Sequence, residues 1–235
     1  MSLTRVKNIT SNLTVDGTLT TTSTGTSLTS NSYNVVKIQT DKDDNGSNDD
    51  GILQFTNGSS NTVKGEIRYD ESEAMFEIGH GDNQGHLRID ASGRVTKPSQ
   101  PSFGAYQASA NYTGGSGYGK MIADGTRWNE GNHYSTANSR FTAPIAGVYH
   151  FSAHVNCYSI ADDHLFGLQL YVNNSTHTFG NRLWSRGAND MVVSMSHTIK
   201  LDAADYVEVY WYSNDASHGF SSGATWNTFS GFLVG

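Results

Sequence analysis

The residues best suited to binding a metal lie in an acidic stretch in the first quarter of the chain. Asp41, Asp43, Asn45 and Asp49 follow the order D-x-D-x-N-G-x-x-D. Calcium takes oxygen ligands at the first, third, fifth and ninth positions of such a loop, and a bidentate glutamate at the twelfth. The twelfth position here is Ile52. The stretch therefore fits either a shorter calcium loop or an ordinary solvated hairpin turn, and calcium is the one cofactor that the sequence suggests.

A second set of distinctive residues is aromatic or cationic and lies on polar segments near the C-terminus. Segments 158–164, 181–190 and 213–227 are rich in Gly, Ser and Asn, and they carry Trp184, Arg186, His218, Phe220 and Trp226. Aromatic side chains on polar loops offer flat surfaces for sugars or anchors for a protein partner. We predict these residues as receptor contacts. The alternative is that each aromatic side chain packs beneath its own loop.

Sequence signatures of catalysis are weak. There is no H-E-x-x-H motif, and the one G-x-S-x-G match, at 219–223, is not followed by the helix pattern that a nucleophile elbow requires. Asp162 and Asp163 beside His164 form the one local acid–histidine cluster. Adjacent residues of a strand point to opposite faces, so this cluster indicates a loop. We predict that the protein is not an enzyme, while a pair of carboxylates assembled between chains for glycan hydrolysis stays open as an alternative.

Charge and hydropathy exclude several classes of function. The formal net charge is −7, which opposes binding to nucleic acid and gives no attraction to anionic membranes. No apolar run approaches the roughly 18 residues of a membrane span. Residues 1–17 lack the apolar segment of a signal peptide. We therefore expect no nucleic-acid partner, no membrane insertion and synthesis in a host cytoplasm.

The elements that must position these residues have the period-two alternation of β-strands, and the chain divides into three zones. Residues 1–32 are polar and Thr-rich, and read either as short strands or as a disordered linker. In residues 33–100, strands such as the one containing Ile67 and Tyr69 have one narrow apolar face. That face indicates burial against partner chains rather than in a thick core. Residues 101–235 carry all 4 Trp and longer strands, which predicts a sandwich or jelly roll.

Two strands of the third zone are apolar or aromatic on both sides. Tyr210 and Tyr212 alternate with Trp211, and Phe232 alternates with Leu233. An antiparallel strand at a surface is expected to keep one polar side. A subunit interface would cover the second side, because aromatic residues are enriched at interfaces. A loop folded over that side is the alternative.

The third zone resembles the C1q/TNF-like domain. The resemblance rests on W-N-E-G-N-H-Y at 128–134, R-F-T-A-P-I-A-G-V-Y-H-F at 140–151, T-I-K-L-D-A-A-D-Y-V at 198–207 and T-F-S-G-F-L at 228–233. Ala204 stands where the family usually has glycine. The resemblance implies a ten-stranded jelly roll that assembles as a tight homotrimer. We thus predict an all-β chain, with a C1q/TNF-like jelly-roll head preceded by an elongated, β-structured trimeric stem.

Upstream segments resemble the stems of bacteriophage fibres. N-I-T-S-N-L-T-V-D-G at 8–17 is similar to their stem repeats, and residues 87–103 are similar to the joint between stem and head. We predict a homotrimeric virion fibre, in which residues 1–32 attach to other virion proteins, 33–100 form the stem and 101–235 contact a host-surface glycan or protein. The alternatives are a capsid decoration or adaptor protein, a glycan-degrading fibre enzyme and a bacterial C1q-like lectin.

Overall fold

The computed structural model describes residues 50–57, 62–81, 83–187 and 189–235. Strands are the only regular elements in these ranges. In chain order they are β1 (Gly51–Asn57), β2 (Thr62–Asp70), β3 (Met75–His80), β4 (Asn83–Ile89), β5 (Val95–Thr96), β6 (Ser102–Tyr106), β7 (Tyr112–Thr113), β8 (Gly117–Lys120), β9 (Gly125–Glu130), β10 (Tyr134–Ser135), β11 (Arg140–Thr142), β12 (Gly147–Ile160), β13 (Leu165–Val172), β14 (Ser175–Trp184), β15 (Asn189–Leu201), β16 (Tyr206–Ser213), β17 (Gly219–Phe220) and β18 (Thr228–Leu233).

Residues from β6 onward form a sandwich of two antiparallel sheets, which we call the head. One sheet runs in the order β10-β11-β16-β13-β14, with β8 also paired to β16. The other runs β7-β17-β12-β18-β6-β9, with β15 also paired to β12. The apolar sides of both sheets meet in a single core. The all-β sandwich predicted from the sequence is confirmed.

Alternation along the strands decides which side chains enter this core. On β12, Tyr149, Phe151 and Val155 are fully buried or nearly so, while Ser152 between them is exposed. On β13, Phe166, Leu168 and Leu170 enter the core, while Gly167 and Gln169 between them are buried on the other side of the sheet. The faces predicted for these strands are confirmed, because a period of two leaves only one assignment once one side is apolar.

The centre of the core is a group of stacked aromatic rings. The Phe103 ring lies 4.6 Å from that of Tyr134 and 5.1 Å from that of Phe141, both nearly parallel to it. The Phe229 ring meets Phe103 edge-on at 4.9 Å. Gly231 makes room for this group, because a Cβ there would stand 2.5 Å from Phe151 and 2.9 Å from Phe103. The glycine in T-F-S-G-F-L is therefore required by packing.

The turn before β16 keeps the geometry that glycine would favour. Ala204 has a φ of 72°, in the left-handed region. An alanine there costs roughly 1–2 kcal/mol relative to glycine. The turn is held by hydrogen bonds from the Ala143 N–H to the Asp205 carbonyl and from the Ala204 N–H to the Ala143 carbonyl, each 2.8 Å long. The turn therefore accommodates Ala204 in place of the usual glycine, at the cost of local backbone strain.

Strands β1 to β5 form a separate five-stranded sheet in sequential order. Its apolar side chains line up across the strands, since Leu53 pairs with Ile67, Ile67 with Ile78 and Ile78 with Leu87. These residues, with the neighbouring row Tyr69, Phe76, Ile89 and Val95 and with Phe55, form what we call the apolar ladder. Leu53 is 46% exposed, Ile78 41% and Phe55 56%. Among the residues that the structure describes, nothing covers this face.

The opposite side of this sheet buries charge instead. Arg68 contacts Asp50, Asp70 and Glu77 at 3.2, 2.9 and 2.7 Å, and Arg88 contacts Glu77 at 2.9 Å. Glu77 is 2% exposed. Asp70 also accepts hydrogen bonds from the Ser72 hydroxyl and the Glu73 N–H, which together with Arg68 hold the pKa of its carboxyl below the usual value. The face that looked polar in the sequence is a network of buried ion pairs.

The two strands with aromatic residues on both sides belong to different sheets of the head. β16 lies in the sheet with β13 and β14, whereas β18 lies in the sheet with β12 and β6. Their second sides therefore face away from each other. Phe232 on β18 is 48% exposed, while Tyr210 and Tyr212 on β16 are half-buried by neighbouring rings. One contact surface cannot cover both strands of the same chain.

Candidate functional site

The predicted calcium ligands Asp41, Asp43, Asn45 and Asp49 lie outside the described residues, so calcium binding there stays a prediction. Within the described ranges, no three His, Cys, Asp or Glu side chains come close enough to hold a metal ion. The same ranges contain no helix long and apolar enough to cross a membrane.

Three of the predicted receptor contacts lie at one end of the head. Trp184 is 54% exposed at the end of β14, Trp226 is 47% exposed just before β18, and Arg186 is exposed in the turn after β14. The strand directions place the ends of β6, β12, β14 and β16 and the starts of β13, β15 and β18 at this end. The chain enters the head through Pro101 at the opposite end. We call this far end the tip.

His218 and Phe220 are not on the surface, which corrects their prediction as receptor contacts. Both are 0% exposed. Phe220 stacks on Tyr112 at 4.6 Å and packs on Phe166 and Trp211. The segment around them pairs as a short strand with β12 and β7, which draws the aromatic rings inward. A side chain without exposed surface cannot contact a receptor, so both leave the candidate set.

His218 is a buried imidazole among aromatic rings. Its ring centroid lies 5.0 Å from that of Trp211 and 5.7 Å from that of Phe166. Neither ring nitrogen has a hydrogen-bond partner of normal geometry in the described part of the chain. Burial lowers the pKa of His218 below its usual value, and the neighbouring Asp215 offsets this only in part. The imidazole is therefore held neutral in the folded protein.

We expect the head to lose stability as the pH falls below about 6.5, the usual pKa of an unfolded histidine. Below that value the unfolded chain binds a proton at His218 that the folded chain excludes, so acid favours unfolding. The loss continues until the pH reaches the lowered pKa of the folded state. Urea unfolding at pH 7.5 and pH 5.5 measures the effect, and His218→Leu is expected to reduce the difference between the two free energies.

A matched variant, His133→Leu, controls for the loss of a histidine at a more exposed position of the head. If His218→Leu and the parent protein lose the same free energy between the two pH values, the buried imidazole does not contribute to acid sensitivity.

The tip loops are held together by buried polar groups. Asp215 is 4% exposed and accepts hydrogen bonds from the Ala161 N–H at 2.5 Å and the Ser217 N–H at 2.9 Å. Burial alone would raise the pKa of Asp215, but these hydrogen bonds and nearby histidines lower it. Ser185, 2% exposed, donates to the Ala161 carbonyl and accepts from the His164 N–H. These contacts fix the backbone from which Trp184 and Arg186 project.

The acid–histidine segment takes part in this scaffold. Asp162 accepts a hydrogen bond from the Gly187 N–H at 2.5 Å, and the carbonyl of Asp162 contacts the His164 ring at 2.9 Å. Asp163 has a φ of 58°, and the three residues form the turn between β12 and β13. The sequence prediction of a loop is correct, and its polar groups serve to join two loops.

A second group of residues, on the outward side of β14, β13, β16 and β8, is not predicted by the sequence patterns. Phe179 is 57% exposed, and the Arg182 guanidinium lies 4.4 Å from its ring. Tyr118 is 56% exposed and its ring lies 4.8 Å from that of Tyr212. The one sequence signal for this surface is the row of tyrosines on β16, which predicts a subunit interface.

Comparison with known proteins identifies the head. A family model for the C1q domain matches residues 105–234, more than half of the chain. Solved structures with a similar fold include the globular domain of zebrafish complement 1qA, with 17% identity and a TM-score of 0.45 over 58% of this chain and 98% of that chain. Murine APRIL at pH 8.5 has 8% identity and a TM-score of 0.44 over 57% and 99%. Eiger TNF from S. frugiperda has 9% identity and a TM-score of 0.42 over 58% and 94%.

Proposed function

Because the chain belongs to the C1q domain family, we propose that it is a homotrimeric, non-enzymatic fibre protein of a bacteriophage virion whose head recognises the host surface. Domains of this family typically form homotrimers and bind receptors. In the proposed arrangement, residues upstream of the head join the chain to other virion proteins. The tip of the head contacts a glycan or protein of the host cell.

The observation that carries the proposal is the uncovered apolar ladder of the five-stranded sheet. Its rows run across neighbouring strands, with Ile78 at 41%, Phe76 at 39% and Tyr69 at 49% exposure. Contiguous apolar patches of this kind mark interaction surfaces in soluble proteins. Ion pairs occupy the other side of the sheet. The described residues therefore include no apolar layer that could pack against the ladder. Two further copies of the same ladder would cover it around a threefold axis.

The placement of Trp184, Arg186 and Trp226 supports a recognition role for the tip. They lie at the end of the head opposite Pro101, where the chain enters, and hydrogen bonds between loops fix the backbone around Trp184 and Arg186. Exposed tryptophan and arginine side chains are the types most often found to dominate binding energy. A trimer would present three copies of this set, and simultaneous contacts would convert weak single contacts into high avidity.

The assignment to a phage virion is supported by the upstream sequence. Residues 8–17 resemble the stem repeats of phage fibres, and residues 87–103 resemble the joint between stem and head. The second segment covers β4, β5 and the start of β6, so it lies where the five-stranded sheet passes into the head. Antibody labelling of the phage particle that carries the chain would locate it, and labelling of the capsid instead of a fibre would indicate a decoration protein.

Replacing Ile78 with lysine is expected to convert the trimer into monomers, because a charged side chain cannot be buried without a partner in the ladder. Sedimentation equilibrium measures the change. The parent protein is expected to sediment with three times the 25.5 kDa mass of one chain. The Ile78→Lys variant is expected to sediment with the mass of a single chain.

Ser92→Lys, in the exposed turn between β4 and β5, is the matched control and should remain trimeric. A parent protein that sediments as a stable monomer would exclude the fibre proposal. A trimeric Ile78→Lys would show that the ladder is not part of the contact between chains.

Recognition by the tip is tested by adsorption of the purified trimer to host cells. Trp184→Ala and Trp226→Ala are expected to reduce adsorption by at least about tenfold each if they are central contacts. Trp128→Ala, which removes an exposed tryptophan outside the tip loops, controls for nonspecific adsorption. Equal adsorption by all of these variants would exclude the tip as the contact surface.

A further inference from the structure

The outward side of β14, β13, β16 and β8 is a sheet face built from aromatic and cationic side chains. Strand pairing sets two rows across it. The first contains Arg182, Gly167, Tyr212 and Tyr118, and the second contains Phe179, Gln169, Tyr210 and Lys120. Tyr171 stacks on Tyr210 at 4.0 Å beside them. We call this surface the side face, since it lies along the strands and not at the tip.

Gly167 shapes the centre of the side face. A Cβ at this position would stand 2.4 Å from the Cγ of Arg182. Because Gly167 has no Cβ, the Arg182 side chain can lie directly against the backbone of β13. Its guanidinium lies 4.4 Å from the Phe179 ring and 5.1 Å from the Tyr212 ring. The two rings hold the guanidinium in place by cation–π contact.

The guanidinium of Arg182 is held without an anionic partner. No carboxylate lies within ion-pair distance of it in the ranges that the structure describes. Its hydrogen-bonding edge is therefore available. A planar guanidinium binds carboxylates through two parallel hydrogen bonds, which makes arginine more selective than lysine for such groups.

A buried amide beside Arg182 also lacks partners. Gln169 is 1% exposed, alternates with the core residues Leu168 and Leu170, and so belongs to the side face. Neither its amide nitrogen nor its amide oxygen has a hydrogen-bond partner within the described residues. A buried, unsatisfied polar group costs roughly 1–3 kcal/mol. The amide thus marks a polar position within the side face that no described residue satisfies.

The charge of the side face is opposite to that of the protein. Its strands contribute Arg182, Lys120 and Glu208, and Arg140 reaches across from β11 to contact Glu208 at 2.7 Å. Three cationic side chains thus stand against a single carboxylate, on a chain with a net charge of −7. This local excess of positive charge favours an anionic ligand over a second copy of the same acidic chain.

We propose that the side face binds a carboxylated polysaccharide of a cell surface. Exposed, flat rings at Tyr118 and Phe179 can pack on the C–H faces of sugar rings through their negative π faces. Arg182 binds the carboxylate. The proposal rests on the proposed function only for the source of the polysaccharide, because the tip and the side face share none of the residues invoked.

The test measures binding of the purified chain to alginate, polygalacturonate, hyaluronate and polysialic acid by biolayer interferometry. At least one of them is expected to bind, and Arg182→Gln is expected to weaken it by about tenfold or more, through loss of a charged hydrogen-bonding pair. Gly167→Ala is expected to weaken binding as well, because it displaces the Arg182 side chain. Neutralising the carboxylates of the bound polymer by methyl esterification should remove binding.

Arg94→Gln is the matched control, since it removes the same charge from a side chain that is 77% exposed in the five-stranded sheet. It should bind as the parent protein does. Absence of binding to the whole panel would overturn the proposal, as would equal binding by Arg182→Gln or by the esterified polymer. A change in sedimentation of Arg182→Gln would also overturn it, by showing that the face contacts another copy.

The two proposals fail in different ways. If no acidic polysaccharide binds and Arg182→Gln adsorbs to host cells like the parent protein, the side-face proposal is excluded while recognition by the tip is not. If the parent protein binds an acidic polysaccharide through Arg182 but does not adsorb to cells, host recognition is excluded while the side-face proposal is supported.

Discussion

Replacing Phe103 with alanine is expected to lower the free energy of unfolding of the head by about 3–5 kcal/mol. Phe103 is 0% exposed and its ring stacks on Tyr134 and Phe141 while meeting Phe229 edge-on. The change removes apolar contact with all three rings and leaves a cavity between two sheets that cannot close. Urea unfolding followed by tryptophan fluorescence measures the loss.

Phe179→Ala is the control for this prediction. It removes the same ring from the same domain at a position that is 57% exposed, and should change the free energy by no more than about 0.5 kcal/mol. Equal destabilisation by both variants would mean that the head is not organised around the aromatic group at Phe103.

Replacing Glu208 with glutamine is expected to destabilise the head by about 3 kcal/mol. The Glu208 side chain is 2% exposed and accepts contacts from Lys120 at 2.6 Å and Arg140 at 2.7 Å. The neutral amide leaves the two cations close together without their shared carboxylate. The expected loss of unfolding free energy lies at the lower end of the range for broken buried ion pairs. Both cations are about one-third exposed, so water can partly solvate them once the carboxylate is gone.

An exposed pair provides the comparison. Asp90 contacts Arg94 at 2.6 Å, but the Arg94 side chain is 77% exposed, so Asp90→Asn should cost no more than about 1 kcal/mol. Thermal unfolding of both variants at low and high salt measures the difference. A loss at Glu208 that matches the one at Asp90, or that disappears in high salt, would mean that burial does not strengthen this ion pair.

The three surfaces of the described chain differ in chemistry. The apolar ladder is uncharged and calls for an apolar partner. The tip presents Trp184, Arg186 and Trp226 on loops held by hydrogen bonds. The side face combines rings with an unpaired guanidinium at Arg182. The proposed self-association, host contact and polysaccharide binding would therefore be removed separately by single substitutions, which makes the three proposals independent in experiment.

Much of the head could be predicted from its sequence, because its strands are long and one side of each is apolar. On β12 the alternation of Tyr149, Phe151 and Val155 with polar residues leaves one choice of buried face. The motifs at 140–151 and 228–233 then indicate the family, and their glycine and aromatic residues are the ones that the core requires. The single cysteine, Cys157, is buried, and burial raises the pKa of its thiol to about 12.

The candidate site was predicted less well. Loop composition suggests that His218 and Phe220 lie on the surface, but a short strand carries Phe220 into the core, and His218, directly before that strand, is buried with it. Arg182 was not singled out, because its importance comes from Gly167 on the next strand and from two rings far away in the chain. The division into zones 1–32, 33–100 and 101–235 stays a prediction.

Local order along the chain was thus enough to establish strands, faces and family, since these depend on a period of two and on motifs within a dozen residues. The apolar ladder is visible in the same way, and so is the prediction that a partner chain covers it. Strand pairing decided the rest. It buried the charged side of the five-stranded sheet around Arg68 and Glu77. It also set Arg182 between Phe179 and Tyr212. Register between distant strands determines such neighbours, and no local pattern encodes it.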